Sequence, residues 1–408
     1  MQRQQQRLTS NFSATSTTNS KGEREVRQQE SFSVLHGTVA TDIGNRRGPL
    51  QQSPAKPFTV ASETERVRAK LTALSRGKPQ VSLDRCTADR APDAHLRSLA
   101  WEVDLECLGR DFRNWATEAT TQRQEYDIWR AKYLGSDEMR ERDSVELGNQ
   151  ADSAESHLDP AFQHIPIRKI IIEDVNRTLS ENELFGRDDI KCILKRVLYV
   201  YARLNPSIGY AQGMNEILAP ILYVLHRDAT YVAEHLAGCG EEEDARVALM
   251  EGEYIRARTP ADLADWEVRG VARCLCRLDA LENDAFRLFS RVMRTVGPWF
   301  HTPKINDEKY ANAYETEIIT KCTRTNELLR MRDPMVYNQL KSMDVDPETY
   351  LPKWIKILFA QMFPLESLLQ VWDALFATGI ASEPYDLVDH ICVTLLVLIR
   401  TSCIIIFK

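Results

Sequence analysis

Two stretches of the 408-residue chain carry side chains whose types and spacing could do chemistry. The first is Ile171-x-x-Asp174-x-x-Arg177. On a helix, Ile171, Val175 and Leu179 would form an apolar stripe, with Arg177 about 160° from its centre and Asp174 about 60° from Arg177. An aspartate three residues ahead can hold a guanidinium through a charge-assisted hydrogen bond while leaving donors free. The pair would present a braced cation to whatever docks, although the same residues also read as an ordinary exposed ion pair. The second stretch is Asn205-Pro206-Ser207-Ile208-Gly209-Tyr210-Ala211-Gln212-Gly213-Met214-Asn215. It follows a helix that must end at Pro206 and leads into another near Asn215. Gly209 and Gly213 would bracket an extended tripeptide in which Tyr210 and Gln212 point the same way. An amide held on such a turn can orient a water molecule without titrating. The alternative is a helix-capping loop, with Asn215 as the cap and Tyr210 packed in the core.

The elements that must position these residues read as helices. From residue 92 onward helical periodicity recurs in block after block, with no alternating strand pattern and no repeat that would suggest a solenoid. Leu96, Leu99, Ala100, Val103 and Leu108 mark one amphipathic helix. Ile190, Ile193, Leu194, Val197, Leu198 and Tyr201 mark another, which opens at Asp188 and Asp189. Further helical blocks are expected over 283–295, 316–332, 348–362, 364–377 and 385–400. Residues 1–60 are rich in Gln, Ser, Thr and Arg and cannot bury enough apolar surface to offset the entropy of ordering, so they read as disordered. Residues 61–91 form a linker with a short helix over 63–75, stopped by Gly77 and Pro79. Polar segments at about 136–160 and 238–270 read as insertions, the first a surface loop and the second with room for a helix of its own.

Composition narrows the function. With 43% apolar and 27% charged residues the chain can build a substantial core, and a net charge of -7 argues against non-specific nucleic-acid binding. The nine cysteines are scattered, with no C-x-x-C pair, and read as reduced cytosolic thiols. His95, His226, His235, His301 and His390 have no partner at triad or metal-ligand spacing, so no metal is expected. No G-x-x-x-x-G-K-[ST] occurs, so the chain is not expected to bind nucleotide by itself. The N-terminus lacks the apolar core of a secretion signal. Residues 391–399 and 403–407 are apolar but short and split by Arg400, which favours a buried helix with an apolar tail at 401–408 over a membrane anchor, hence a soluble protein.

Together the two stretches are specific. I-x-x-D-x-x-R followed about thirty residues later by G-Y-x-Q-G-M-N resembles the paired motifs of the TBC domain of Rab GTPase-activating proteins. The resemblance extends from roughly residue 92 to 400. Leu96-Arg97-x-x-x-Trp101 looks like the family's opening motif, without the glycine usual near Ala94. The segment 279–293 is similar to the helix after its variable insertion. Met331-Arg332-Asp333-Pro334, Trp354, Phe363-Pro364-Leu365 and Val371-Trp372-Asp373-Ala374-Leu375-Phe376 resemble its C-terminal half, with Met362 where an acidic residue is usual. The family domain normally continues beyond Ile399, so the resemblance implies a shortened C-terminal end.

The resemblance implies an all-α, TBC-type domain of two helical subdomains. It places the family's arginine finger on Arg177 and its glutamine finger on Gln212. Asp174 falls on the residue that braces the arginine, Tyr210 and Asn215 on positions that shape the glutamine loop, and Arg97, Trp101, Trp372 and Asp373 on structural positions. The implied function is acceleration of GTP hydrolysis on a Rab-family small GTPase in its GTP state, in vesicle trafficking. GTP and Mg²⁺ would be bound by the partner and no cofactor by this chain. The implied setting is the cytoplasm, with membranes reached only through partners. The alternative from a different class is a non-catalytic TBC-fold adaptor that binds a GTPase or a trafficking complex.

Overall fold

Apolar residues three and four apart need a second helix to cover them, and the computed structural model shows which helices meet. It describes residues 60–75, 95–109, 111–135, 165–237, 259–300, 317–380 and 386–406, and among these every regular element is helical. The α-helices of more than one turn are α1 Val60–Ser75, α2 Arg97–Asp104, α3 Trp115–Leu134, α4 Ile165–Arg177, α5 Asp188–Leu204, α6 Met214–His235 and α7 Asp265–Leu275. They continue with α8 Leu281–Val296, α9 Glu317–Arg332, α10 Pro334–Ser342, α11 Pro347–Ile355, α12 Leu365–Thr378 and α13 Leu387–Ile406. The expectations for residues 1–59, 136–160 and 238–258 lie outside the described residues.

Helix α6 is apolar on nearly every face and is buried accordingly, with Met214, Ile217, Leu218, Ile221 and Leu222 all enclosed. It packs against α8, α5, α2 and α4. A layer formed by α1, α2, α3 and α7 shares the core around Leu71, Leu99, Trp115, Val268 and Leu275. Helices α10 and α11 each pack on α9, and α12 lies against α2. Residues Lys56–Leu396 form one compact unit, and the later turns of α13 belong to another. Among the described residues no helix is long and apolar enough to cross a membrane.

The boundaries correct several expectations. Leu96 has a left-handed φ of 59° and stands before α2, which stops at Asp104, so Leu108 reaches the core from a turn and not from that helix. The polar segment expected as an insertion up to residue 270 includes the start of α7, whose Val268, Val271 and Ala272 are core residues. The helix expected over 348–362 ends at Ile355 and gives way to tight turns in which Leu358 and Phe359 take φ of 48° and 65°. Each such non-glycine residue costs about 1–2 kcal/mol, so packing must hold the turn. The Trp372 indole donates to the Leu358 carbonyl at 2.9 Å.

Four residues assigned structural positions by the resemblance come together. Asp373 accepts from the Trp101 indole at 2.8 Å and pairs with Arg97 at 3.1 Å. Trp101 also packs near Trp372, with ring centroids 5.9 Å apart. These contacts fasten α2 to α12.

A second buried polar cluster joins α2, α3 and α8. Arg287 pairs with Glu102 and, at 3.2 Å, with Asp284. Arg123 binds Asp284 through two nitrogens at 2.9 and 2.7 Å and the α7 carbonyls of Cys274 and Leu275 at 2.8 and 3.1 Å. Burial, the largest cause, raises the Glu102 pKa to about 7 against the opposing pull of Arg287. Removing one member of a buried ion pair leaves the other unpaired, at a cost of about 3–5 kcal/mol, whereas removing both is far milder. Urea denaturation is therefore expected to show Arg287→Met as strongly destabilising and the double variant Glu102→Gln/Arg287→Met as less so; equal losses would contradict the pairing.

Candidate functional site

Helix α4 ends at Arg177, and the chain then turns sharply, with Leu179 at a φ of 42°. Leu179 therefore does not extend the apolar stripe, which is carried by Ile171 and Val175, both buried. A cation in the last turn of a helix interacts favourably with the carbonyl end of its dipole. The Arg177 Nη2 donates to Asp174 Oδ1 at 2.5 Å. The arginine side chain remains 59% exposed while that of Asp174 is 5% exposed. A helical wheel leaves Asp174 outward beside Arg177; its burial comes from a cover that lies elsewhere in the sequence.

That cover is the loop between α5 and α6. The Tyr210 hydroxyl donates to Asp174 Oδ2 at 2.7 Å, so the two oxygens of one carboxylate serve an arginine and a tyrosine 33 residues apart by number (210 − 177 = 33). Burial and the Asp174 carboxylate both raise the Tyr210 pKa, with burial the larger cause, so the phenol keeps its proton and remains a donor. The Tyr210 hydroxyl is also 3.4 Å from Asn215 Oδ1. Asn215 accepts from the backbone N–H of Gly213 at 3.1 Å and donates to the Thr178 hydroxyl at 2.8 Å. Thr178 in turn donates to the Asp174 carbonyl at 2.8 Å. Hydrogen bonds thus link Asn215 through Thr178 to Asp174 and Asp174 to Tyr210, and the Tyr210 hydroxyl in turn lies against Asn215.

Gln212, in the loop that Tyr210 anchors, is exposed. The extended tripeptide expected for residues 210–212 does not run through it, because the Ala211 carbonyl accepts from Met214 N–H at 3.2 Å and closes a turn over Gln212 and Gly213. Tyr210 consequently turns inward to Asp174 and Gln212 outward to solvent. Gly213 occupies a φ of 103°, a conformation open to glycine and strained for other residues. Asn215 is the second residue of α6, buried, and its side chain fastens the loop from inside the first turn instead of standing before it as a cap.

Two participants carried no motif signal. Thr178 follows the arginine outside the helix, and its role depends on an asparagine brought near only by folding. Glu216 accepts from the Asn215 amide at 3.1 Å. Burial, its largest cause, raises the Glu216 pKa, with Arg177 among the influences that lower it. The histidines named above serve other ends where they are described: His95 stacks on Tyr231 at 4.0 Å, and Tyr231 stacks on His235 at 4.8 Å.

The all-helical body falls in a known class: the Rab-GTPase-TBC domain family matches residues 122–404, so the chain belongs to that family. Among its relatives, TBC1 domain family member 5 of Homo sapiens is 30% identical over 328 residues, covering 76% of this chain and 38% of that protein. TBC1 domain family member 5 homolog A of Dictyostelium discoideum is 23% identical over 411 residues, covering 84% of this chain and 35% of the relative. The chain therefore spans less than two fifths of the length of these curated relatives. The crystal structure of the Ypt/Rab-GAP domain of Gyp1p has the same fold, with a TM-score of 0.51 at 16% identity over 83% of this chain and 87% of that one.

The shared Asp174 carboxylate predicts a coupled energetic response. Tyr210→Phe removes one hydrogen bond to a charged acceptor, an expected loss of about 1.5–3 kcal/mol. In the background of Asp174→Ala the same substitution should cost clearly less, because its acceptor is already gone. A double-mutant cycle measured by urea denaturation checks this, and strictly additive losses would show the contact to be energetically idle.

Proposed function

We propose that this chain accelerates GTP hydrolysis on a Rab-family small GTPase by supplying Arg177 and Gln212 in trans to the partner's nucleotide site. The observation that carries the reading is the division of the Asp174 carboxylate between Arg177 and the loop that bears Gln212. Such a brace fixes a cation and an amide together while leaving both exposed for a docking partner. Family membership supplies the partner class, since the matching family is the Rab-GTPase-TBC domain.

Phosphoryl transfer from GTP to water spreads charge over the γ-phosphate oxygens and the bridging oxygen, and the protein's task is mostly positioning and electrostatic stabilisation. The Arg177 guanidinium would donate to those oxygens with a planar geometry that an ammonium cannot reproduce. Asp174 holds it in place and reduces the conformational freedom lost on docking. The Gln212 amide would orient the attacking water, replacing the partner's own glutamine. Mg²⁺ would arrive with the partner's nucleotide. Working from the cytoplasm, and recruited to endomembranes by partners, such an activator would end the active state of a Rab in membrane traffic.

Phosphate release from a panel of GTP-loaded Rab proteins tests the proposal. Arg177→Ala is expected to reduce the acceleration by about 10³-fold or more, and Gln212→Ala to reduce it sharply. Arg177→Lys should be nearly as damaging as alanine, because the charge is kept and the fork lost. Binding without acceleration, unchanged by either alanine substitution, would instead identify a non-catalytic adaptor.

A further inference from the structure

The loop that carries Gln212 is fastened on one side by Asp174, through Tyr210, and by Asn215, through Gly213, and a second wall stands on the other. A Cβ added at Gly213 would lie 2.9 Å from Ile357 Cγ2 and 3.6 Å from Phe300 Cε1, so the glutamine turn is already in contact with the segment after α11. Three residues beyond Gly213 and four beyond Ile357, the side-chain amide of Gln361 lies beside the Glu216 carboxylate and helps to lower its pKa. The segment that offers Ile357 and Gln361 is the strained one. Leu358 and Phe359 lie between them in left-handed conformations, both fully buried, and the Leu358 carbonyl is held by the Trp372 indole. Strain of this kind persists only where the surroundings over-determine it, and it concentrates where a backbone must present a side chain in one direction.

We propose that the turn 356–362 is a positioning element for Gln212, with Ile357 setting the depth of the Gly213 backbone and the polar contact of Gln361 with Glu216 setting its lateral position. The claim rests on the reading of Gln212 as the water-orienting group, and it assigns Ile357, Gln361 and Glu216 as positioning residues that touch neither nucleotide nor water. A straight helical continuation of α11 would carry Ile357 and Gln361 on one regular helical face, four residues and about 6 Å apart along the axis. The reversal at Leu358 and Phe359 replaces that geometry with one in which Ile357 meets the end of the loop and Gln361 the first turn of α6. Trp372, from the helix that also contacts α2, then transmits the position of the bundle to the finger loop.

The test uses the full chain with Gln361→Ala, Gln361→Glu, Ile357→Val and the exchange Glu216→Gln/Gln361→Glu. Gln361 is exposed, so its replacement should leave the unfolding midpoint unchanged. Amide hydrogen exchange of the segment 209–216 is the direct readout, because Gly213 N–H is protected by Asn215 and Met214 N–H by Ala211. Faster exchange confined to that segment is expected for Gln361→Ala and more so for Gln361→Glu, which sets two carboxylates face to face. The exchange variant should restore protection, since an amide again faces a carboxylate. Against a Rab that the wild type accelerates, the single variants should lower kcat by about tenfold to a hundredfold with KM within about twofold. Unchanged exchange in all variants, or loosened exchange with unchanged kcat, overturns the proposal. If the wild type accelerates no Rab but exchange responds as stated, the turn still fixes the loop and it is the enzymatic reading that falls.

Discussion

Asp174 is a carboxylate removed from water, and that removal is tolerated only because both of its oxygens are occupied. An isolated buried carboxylate would cost several kcal/mol or take up a proton. Here the cost is offset by an arginine from its own helix and a tyrosine from a distant loop. The arrangement makes the order of the site conditional. If the loop leaves, Asp174 is wetted and Arg177 becomes an ordinary surface arginine; if Arg177 is lost, the anchor of Tyr210 is left with an unmatched charge. Helix α4 and the loop before α6 therefore behave as one mechanical object, although residues 178–209 separate them in sequence.

Around that object the fold supplies stiffness by two different means. Helix α6 is enclosed on nearly all sides by apolar contacts, so the first turn that holds Asn215 has little freedom to shift. Elsewhere the joints are polar and buried: Glu102, Asp284, Arg123 and Arg287 between α2, α3 and α8, and Asp373 with Arg97 and Trp101 between α2 and α12. Buried ionic joints add little net stability over a well-packed apolar one, but they are directional and tolerate few alternative packings. In a site that works as proposed, that directionality matters more than the last increment of stability.

How much of this was legible in the sequence varies with the range of the interaction. The Asp174–Arg177 pair is local, three residues apart on one helix, and spacing alone located it. The helices with strong stripes, such as α5, α8 and α12, were visible for the same reason. Helix α3 was not, because the sequence of Trp115–Leu134 is polar on several faces and its role is to carry Arg123 and Tyr126 into buried contacts with Asp284 and Glu282. The burial of Asp174 and the inward turn of Tyr210 were hidden because each depends on the other. The end of α11 was misjudged most plainly: Ile357, Leu358, Phe359 and Ala360 are good helix material, and only the packing around Trp372 and Gly213 turns them aside. Motif resemblance found the residues, whereas contact geometry found what holds them.

The placement of α5 between the two halves of the site has a consequence for how such a sequence can vary. A helix is a screw: one residue added or deleted within it turns everything downstream by about 100° and advances it by about 1.5 Å. Such a change inside Asp188–Leu204 would swing the loop off its seat on Asp174, however well the mutated helix itself packed. The interval between the two motifs is therefore a gauge length, not a tether, and any slack must be taken up in the turns at 178–187 and 205–209. Segments outside that interval are free of this constraint and can lengthen without disturbing the gauge.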